Sequence, residues 1–294
     1  MLIKRTRSEQ FIYAIILATM VALIVVTAYP LLYVLFASFS EPADLMRNRG
    51  PLLAPLGFST AAYEAVFNNP MIAVGYRNTI FYVIFGTVLN LALTVLGAYA
   101  LSRKNLLWKT PLMFGIVFTM FFHGGLIPNY LLVTQTLNLQ DNPLALILPG
   151  AISTWNLIIL RTAFESVPTA LEEAARMDGA NDFQILWNVV IPLSLPALAV
   201  ITLFYTVSHW NAWFSASLYL RTRELYPLQL VLREILITTN TESMTTGVSA
   251  GDVQPIAETI KFATIVVATI PILCVYPFLQ KYFVKGVMIG AIKE

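Results

Sequence analysis

Six stretches of this chain carry no Asp, Glu, Lys or Arg: 10–40, 78–102, 110–140, 142–160, 183–220 and 262–280, the shortest of them 19 residues long. Wound as an α-helix, such a stretch crosses about 30 Å of hydrocarbon. A helix also satisfies its own backbone polar groups, which lipid requires of anything that spans it. Only 12% of the 294 residues are charged and 57% are apolar; an ordinary soluble domain carries about twice that charge. The stretches lack the two-residue alternation of a membrane barrel. The chain therefore reads as an all-α membrane protein with six transmembrane helices. The expected spans lie at about 11–39, 78–102, 111–132, 143–162, 191–213 and 262–282, within a single polytopic domain covering 1–294.

Basic residues set the orientation. With six spans both termini share a side, and the loops on that side hold Lys4, Arg5, Arg7, Arg103, Lys104, Lys109, Arg161, Arg176, Lys281, Lys285 and Lys293. The other side holds Arg47, Arg49, Arg77, Arg221, Arg223, Arg233 and Lys261. Eleven against seven places the termini and the loop after span four in the cytoplasm, by the positive-inside rule. The longer loops, 41–77 and 221–261, are then extracytoplasmic. The first apolar run is too long for a signal-peptide core and reads as an uncleaved span. The single Cys274 lies in the last span, so an internal disulfide framework is excluded, and no residue cluster suggests a metal site or a catalytic centre.

Several local features refine the picture. A helix is expected over 61–67, broken by Asn68-Asn69-Pro70. Gly86, Gly97, Ala98 and Ala100 leave span two thin enough for other helices to approach closely. His123-Gly124-Gly125 begins the outer mouth of span three. A surface helix is expected from Pro227 to Ile237, followed by a flexible Thr/Ser/Gly stretch over 238–251.

The loop over 165–190 has an internal design that the other loops lack. Pro168 suits the first turn of a helix, where its missing N–H costs nothing. Glu172 and Glu173 lie near that N-terminus, where the helix dipole favours carboxylates. Ala170, Ala174 and Ala175 keep part of the surface thin. Gly179 fits the left-handed position that ends a helix, and Asn181 or Asp182 can cap a second helix starting near Phe183. That helix brings Phe183, Leu186 and Trp187 back toward the bilayer, and Pro192 starts span five. The result is a short helix across the cytoplasmic mouth, joined rigidly to a transmembrane helix: a docking surface that can transmit force.

The spacing Glu173-Ala174-Ala175, three residues, Gly179, nine residues, Val189-Val190-Ile191-Pro192 resembles the cytoplasmic EAA loop of permease subunits of binding-protein-dependent ABC importers. Val189 and Ile191 stand where that family has Ile and Leu. Asp178-Gly179-Ala180 resembles the carbohydrate-importer branch. Similar segments include GGLIPNYLL at 124–132, LILPGAISTWNLIILRTAF at 146–164, WNAWF at 210–214 and YPFLQKYFVKGVMIGAIK at 276–293. The resemblance implies that Glu172, Glu173, Ala174, Ala175, Asp178, Gly179 and Ala180 couple to an ATPase, with Glu173 the polar anchor and Gly179 the hinge. It implies as partners a second permease subunit of non-identical sequence, two ABC ATPase subunits carrying ATP and Mg, and an extracytoplasmic solute-binding protein, in a bacterial cytoplasmic (inner) membrane. The chain has no G-x-x-x-x-G-K-[ST] loop, so ATP chemistry must come from another chain and no cofactor is expected on this one.

Sugars are gripped by aromatic faces and by amides or hydroxyls. Tyr205, His209, Trp210, Asn211 and Trp213 cluster near the outer half of span five; Tyr205 and His209, and His209 and Trp213, are four apart and so expected on one helix face. Trp155 and Asn156 are expected mid-span in span four, where polar groups face a cavity or another helix. These are the candidate substrate-path residues, and the branch resemblance implies an oligosaccharide or polysaccharide as substrate, a uronate polymer such as alginate among the candidates. A secondary transporter would keep an ionisable group within a span, and none of the six windows contains Asp, Glu, Lys or Arg. A channel subunit, the other alternative, would conduct without ATP. No basic stripe suggests nucleic-acid binding.

Overall fold

The computed structural model describes residues 7–238, 258–274 and 277. Among the described residues every regular element is helical and no strand is present. Both chain ends, the Thr/Ser/Gly stretch beyond Thr238 and the later part of the sixth expected span lie outside the described residues. Two compact units divide the chain: Met1–Asn69 with Glu234–Thr269, and Pro70–Arg233 with Ile270–Glu294.

In the first unit α1 (Arg7–Ser38) is apolar all round and exposed along its length as far as Thr27. A helix of 32 residues with no polar face is a bilayer helix rather than a surface one. At its end the chain folds back through α2 (Pro42–Arg47) and α3 (Ala61–Asn68). Ala37, Leu45 and Leu52 form a small core there, joined by Tyr33, Phe36, Leu56 and Phe262. The turn is fastened by polar contacts: the Tyr29 hydroxyl accepts from the Leu52 N–H at 3.2 Å, Ser40 Oγ accepts from the Leu56 N–H at 3.0 Å, and Ser38 Oγ meets the Tyr63 hydroxyl at 2.7 Å.

The second unit is built around α4 (Pro70–Ser102), which starts at Pro70 rather than near 78. Arg77 is therefore not in a loop but in the first turns of a helix about 50 Å long, more than a bilayer core needs. The third expected span divides at 122–125: α5 (Lys109–Phe121) is followed, after a 109° bend, by α6 (Leu126–Leu131) and a π-helical turn over Leu132–Thr136. The break falls on the His123-Gly124-Gly125 stretch, with Gly125 at φ +85°.

The expected span 143–162 is also interrupted. After α7 (Leu144–Ile147) the chain is non-helical over 148–153, where Pro149 and Gly150 fall, and α8 begins only at Thr154, running to Glu165. Ser153 caps it, its Oγ accepting from the Asn156 N–H. At 12 residues α8 is about 18 Å long, too short to cross hydrocarbon alone. The chain continues through α9 (Thr169–Met177), α10 (Asp182–Ile185), a π-helical turn over Leu186–Val190, α11 (Ile191–Leu193), α12 (Leu195–Trp210), α13 (Phe214–Tyr219) and α14 (Leu228–Thr238).

Span five does not start at Pro192. The helical stretch Asp182–Leu193 meets α12 at 86°, with Ser194 at the corner. Pro196 favours the corner: it has no N–H for the carbonyl of Pro192, and the helix restarts there with proline in its first turn.

Small residues on α4 set the packing. His209 of α12 lies directly over Gly86, and Leu157 of α8 against Gly97. One core joins Val95, Ala98 and Tyr99 of α4 to Leu157, Leu160 and Phe164 of α8, to Ile185, Leu186 and Val190, and to Ile201 and Tyr205 of α12. A second surrounds Tyr82, Leu146 and Tyr219. The helix expected at the surface over 227–237 proves to be packed: Leu228 is 1% exposed and Val231 is buried. Gly75 lets the Leu228 backbone approach, and Thr79 Oγ1 accepts from the Leu228 N–H at 2.8 Å.

Candidate functional site

The loop over 165–190 folds as two helices at one end of the second unit. Val167, buried, pins the approach. Pro168 occupies the extended cap position just before α9, one step outside the first turn. α9 then turns Glu172, Ala175 and, after it, Ala180 inward, and Ala170, Glu173, Ala174 and Met177 outward. Ala175 and Ala180 rest on the core. The two adjacent glutamates thus have opposite settings. Glu173 is exposed and makes no hydrogen bond or ion pair among the described residues. Glu172, its side chain 13% exposed, pairs with Arg103 at the end of α4.

Gly179 ends α9 at φ +84°, the left-handed conformation that a side chain would resist. Two hydrogen bonds close the turn: Gly179 N–H to the Arg176 carbonyl at 3.0 Å and Ala180 N–H to the Ala175 carbonyl at 2.9 Å. Asn181 caps α10 in a reciprocal box: its Oδ1 accepts from the Gln184 N–H at 2.9 Å, and Gln184 Oε1 accepts from the Asn181 N–H at 2.8 Å. Arg176 reaches Asp182 across the turn at 2.5 Å, while Asp178 is exposed. Of the residues expected to face the bilayer, Phe183 and Trp187 are exposed and Leu186 is fully buried in the core.

The neighbouring helix ends are tied by charge. Glu165 accepts from Lys109 at 2.8 Å and from Arg161 at 2.7 Å. Burial pushes the Glu165 carboxyl up, but the hydrogen bond from Lys109 and the Arg161 charge outweigh it and hold it below the ordinary carboxylate value. Arg161 Nε also donates to the Leu101 carbonyl at 3.2 Å. A cleft of about 970 Å³ opens beside α9, lined by Tyr99, Arg103, Lys104, Glu172, Glu173 and Arg176 among others.

The expected substrate-path residues separate into two groups. Tyr205 and His209 point at α4. The Tyr205 hydroxyl, on a residue 3% exposed, meets Thr94 Oγ1 at 2.7 Å and accepts from the Ser153 N–H at 3.0 Å. His209 Nε2 lies 3.1 Å from Asn90 Nδ2. Both polar groups are occupied in holding helices together. Asn156 and Trp210 are buried too, Trp210 edge-on to Tyr76. The exposed members are Trp155, 60% exposed in the first turn of α8 rather than mid-span, and Asn211 and Trp213. Trp213 does not share a face with His209, because α12 ends at Trp210 and the chain turns at Asn211. Instead it carries the Arg233 guanidinium over its ring at 4.1 Å.

Arg103, Thr94 and Asn90 are the residues that the sequence reading missed. Asn90 and Thr94, four apart in a charge-free stretch, are a legible signal of a helix-to-helix face; Arg103 carries no such signal. Among the described residues no group of His, Cys, Asp and Glu could hold a metal ion.

Residues 105–289 match the family described as binding-protein-dependent transport system inner membrane component. The chain is 43% identical to the polygalacturonan/rhamnogalacturonan transport system permease protein YtcP of Bacillus subtilis, over 97% of this chain and 98% of that one. It is 40% identical to Protein LplC of the same organism, over 91% and 90% of the two chains. Among solved structures it is similar to a chain of a bacterial ABC transporter involved in the import of the acidic polysaccharide alginate, with a TM-score of 0.84 and 38% identity over 95% of this chain and 99% of that one.

Proposed function

The chain belongs to the family of inner membrane components of binding-protein-dependent transport systems, and from that premise we propose that it forms half of the translocation pathway of an ATP-driven carbohydrate importer. The observation that carries the reading is the setting of α9: a short helix with an unpartnered carboxylate, Glu173, on its outward face, ended by a left-handed glycine and joined through α10 and α11 to α12.

In this reading two ABC ATPase subunits, with ATP and Mg, dock at that end of the bundle, and a second permease completes the pathway. A solute-binding protein delivers substrate to the opposite end. Both chain termini and the α9 loop are cytoplasmic, consistent with the bias of basic residues. Closure of the ATPases displaces α9, and the corner at Ser194 passes that displacement to α12. The substrate is an acidic polysaccharide fragment built of uronates, supported by relatives whose names specify polygalacturonan and alginate. Trp155, Asn211 and Trp213 are the members of the expected set exposed enough to meet it.

Purification of the chain from native membranes in mild detergent tests the assembly. Wild type is expected to bring an ABC ATPase and a second permease, and Glu173→Lys to lose the ATPase while remaining inserted; an ATPase retained by Glu173→Lys removes the anchor assignment. For the substrate, cells carrying the complete importer are expected to take up oligogalacturonates and to lose that uptake when this chain is deleted. Equal uptake without it removes the substrate assignment.

A further inference from the structure

We infer that Arg103 and Glu172 form a strut through which the coupling helix drives α4, a second transmission line beside the Ser194 corner. The inference rests on the permease reading and deepens it. At the backbone level α9 lies close to α10 and is more loosely connected to every other element. Apart from the chain's own continuation through the Ser194 corner, a push on α9 must therefore reach the bundle through side chains. The inward face of α9 offers small ones, Ala175 and then Ala180, and one long one, Glu172. Glu172 crosses the edge of the cleft to Arg103, the first residue after α4.

Arg103 is built to hold its end rigidly. Its guanidinium lies 4.3 Å above the Tyr99 ring, and its Nε and one terminal nitrogen donate to Ser102 Oγ at 3.2 Å and 2.9 Å. Both anchoring residues belong to the last turn of α4. The Arg103 carbonyl accepts from Lys109, which also pairs with Glu165 of α8. An arginine stacked and hydrogen-bonded in this way keeps its fork fixed, which a lysine would not. With both partners mostly shielded from water, the pair is screened less than a surface ion pair. The Glu172 carboxylate is taken up by Arg103 while Glu173 is exposed, so the two adjacent glutamates have different partners: Glu173 meets the ATPase and Glu172 meets α4. Arg103 and Glu172 are positioning residues, not part of the docking face.

The test uses the complete importer in nanodiscs, with Cys274→Ser and an environment-sensitive fluorophore on Arg77→Cys at the far end of α4. The signal change on adding ATP and vanadate is compared among wild type, Arg103→Gln, Glu172→Gln and the exchange Arg103→Glu with Glu172→Arg. Each single variant is expected to keep its ATPase through purification and to lose at least about five-fold of the signal change. The exchange, which restores opposite charges without the stacking on Tyr99, should recover part of it. An undiminished signal change in either single variant, or an exchange no better than its singles, overturns the strut. Loss of the ATPase from a single variant also overturns it, because the pair would then belong to the docking face. Failure of wild type itself to bring an ATPase overturns the permease reading along with it.

Discussion

Asp141 is a heavily hydrogen-bonded carboxylate outside the spans. Its Oδ1 accepts from the Arg221 and Thr222 N–H groups at 2.9 Å each, its Oδ2 accepts from the Thr222 hydroxyl, and its own N–H donates to the Tyr219 carbonyl at 2.8 Å. It fastens the loop after the π-helical turn to the loop after α13, from a left-handed backbone at φ +56° that Asp and Asn tolerate better than most residues. The Thr222 hydroxyl, followed by the two backbone donors, holds the carboxyl below its ordinary value of 3.8. A carboxylate with a depressed folded value contributes stability above its unfolded value and loses it as pH falls through the folded one. Asp141→Asn, which keeps the backbone conformation, is expected to lower the Tm in detergent at neutral pH. The difference from wild type should close as pH drops below about 4. A gap that persists unchanged at still lower pH would place the effect in packing instead of charge. Gly179 shows the same principle of local chemistry: its φ of +84° was readable from its place after a helical run, because the left-handed cap depends only on close neighbours in the chain.

At the scale of elements, α4 is the member on which α8 and α12 are assembled, and its glycines are not equivalent. A Cβ at Gly86 would lie 2.4 Å from His209 Nε2 and 2.6 Å from Cε1, against a ring held in place by Asn90 and buried to 7% exposure. At Gly97 the nearest atom is the tip of Leu157, at 3.1 Å, and it can move. Gly86→Ala is expected to destabilise by about 1–3 kcal/mol, the usual cost of overpacking a formed core, and Gly97→Ala by clearly less. Thermal unfolding of the two variants side by side decides it; equal shifts would mean that the His209 ring has room to turn. The thin face of α4 was visible in the sequence as Gly86, Gly97 and Ala98. Which helix each glycine receives was not, because spacing along one helix carries no information about the identity of its neighbour.

For the molecule as a whole, the corner between α11 and α12 decides how displacement of α9 is converted into movement of a membrane helix. Pro196→Ala restores an N–H for the Pro192 carbonyl and favours a helix continuous through Ser194. The variant is expected to keep its ATPase and to lose uptake several-fold; normal uptake would show that the 86° corner is dispensable. The sequence by itself determined that the chain is helical and belongs in a membrane, since stretches free of charge cannot be accommodated otherwise at this length. It also determined the glycine-ended α9 and narrowed the next cap to Asn181 or Asp182, of which Asn181 is the one used; the partners lie within a few residues. Only the tertiary structure decided which way side chains face and where helices stop. The expected span four runs unbroken over Pro149 and Gly150, and the expected span five over Pro196; whether such a residue bends, interrupts or merely starts a helix depends on the packing around it. Once α12 ended at Trp210, Trp213 left the face of His209; once α9 was seated on Ala175, Glu172 turned inward to Arg103 while Glu173 remained outside. Arg103 and Glu172 stand 69 residues apart, and a pairing at that separation is fixed by the assembly of the helices rather than by either segment alone.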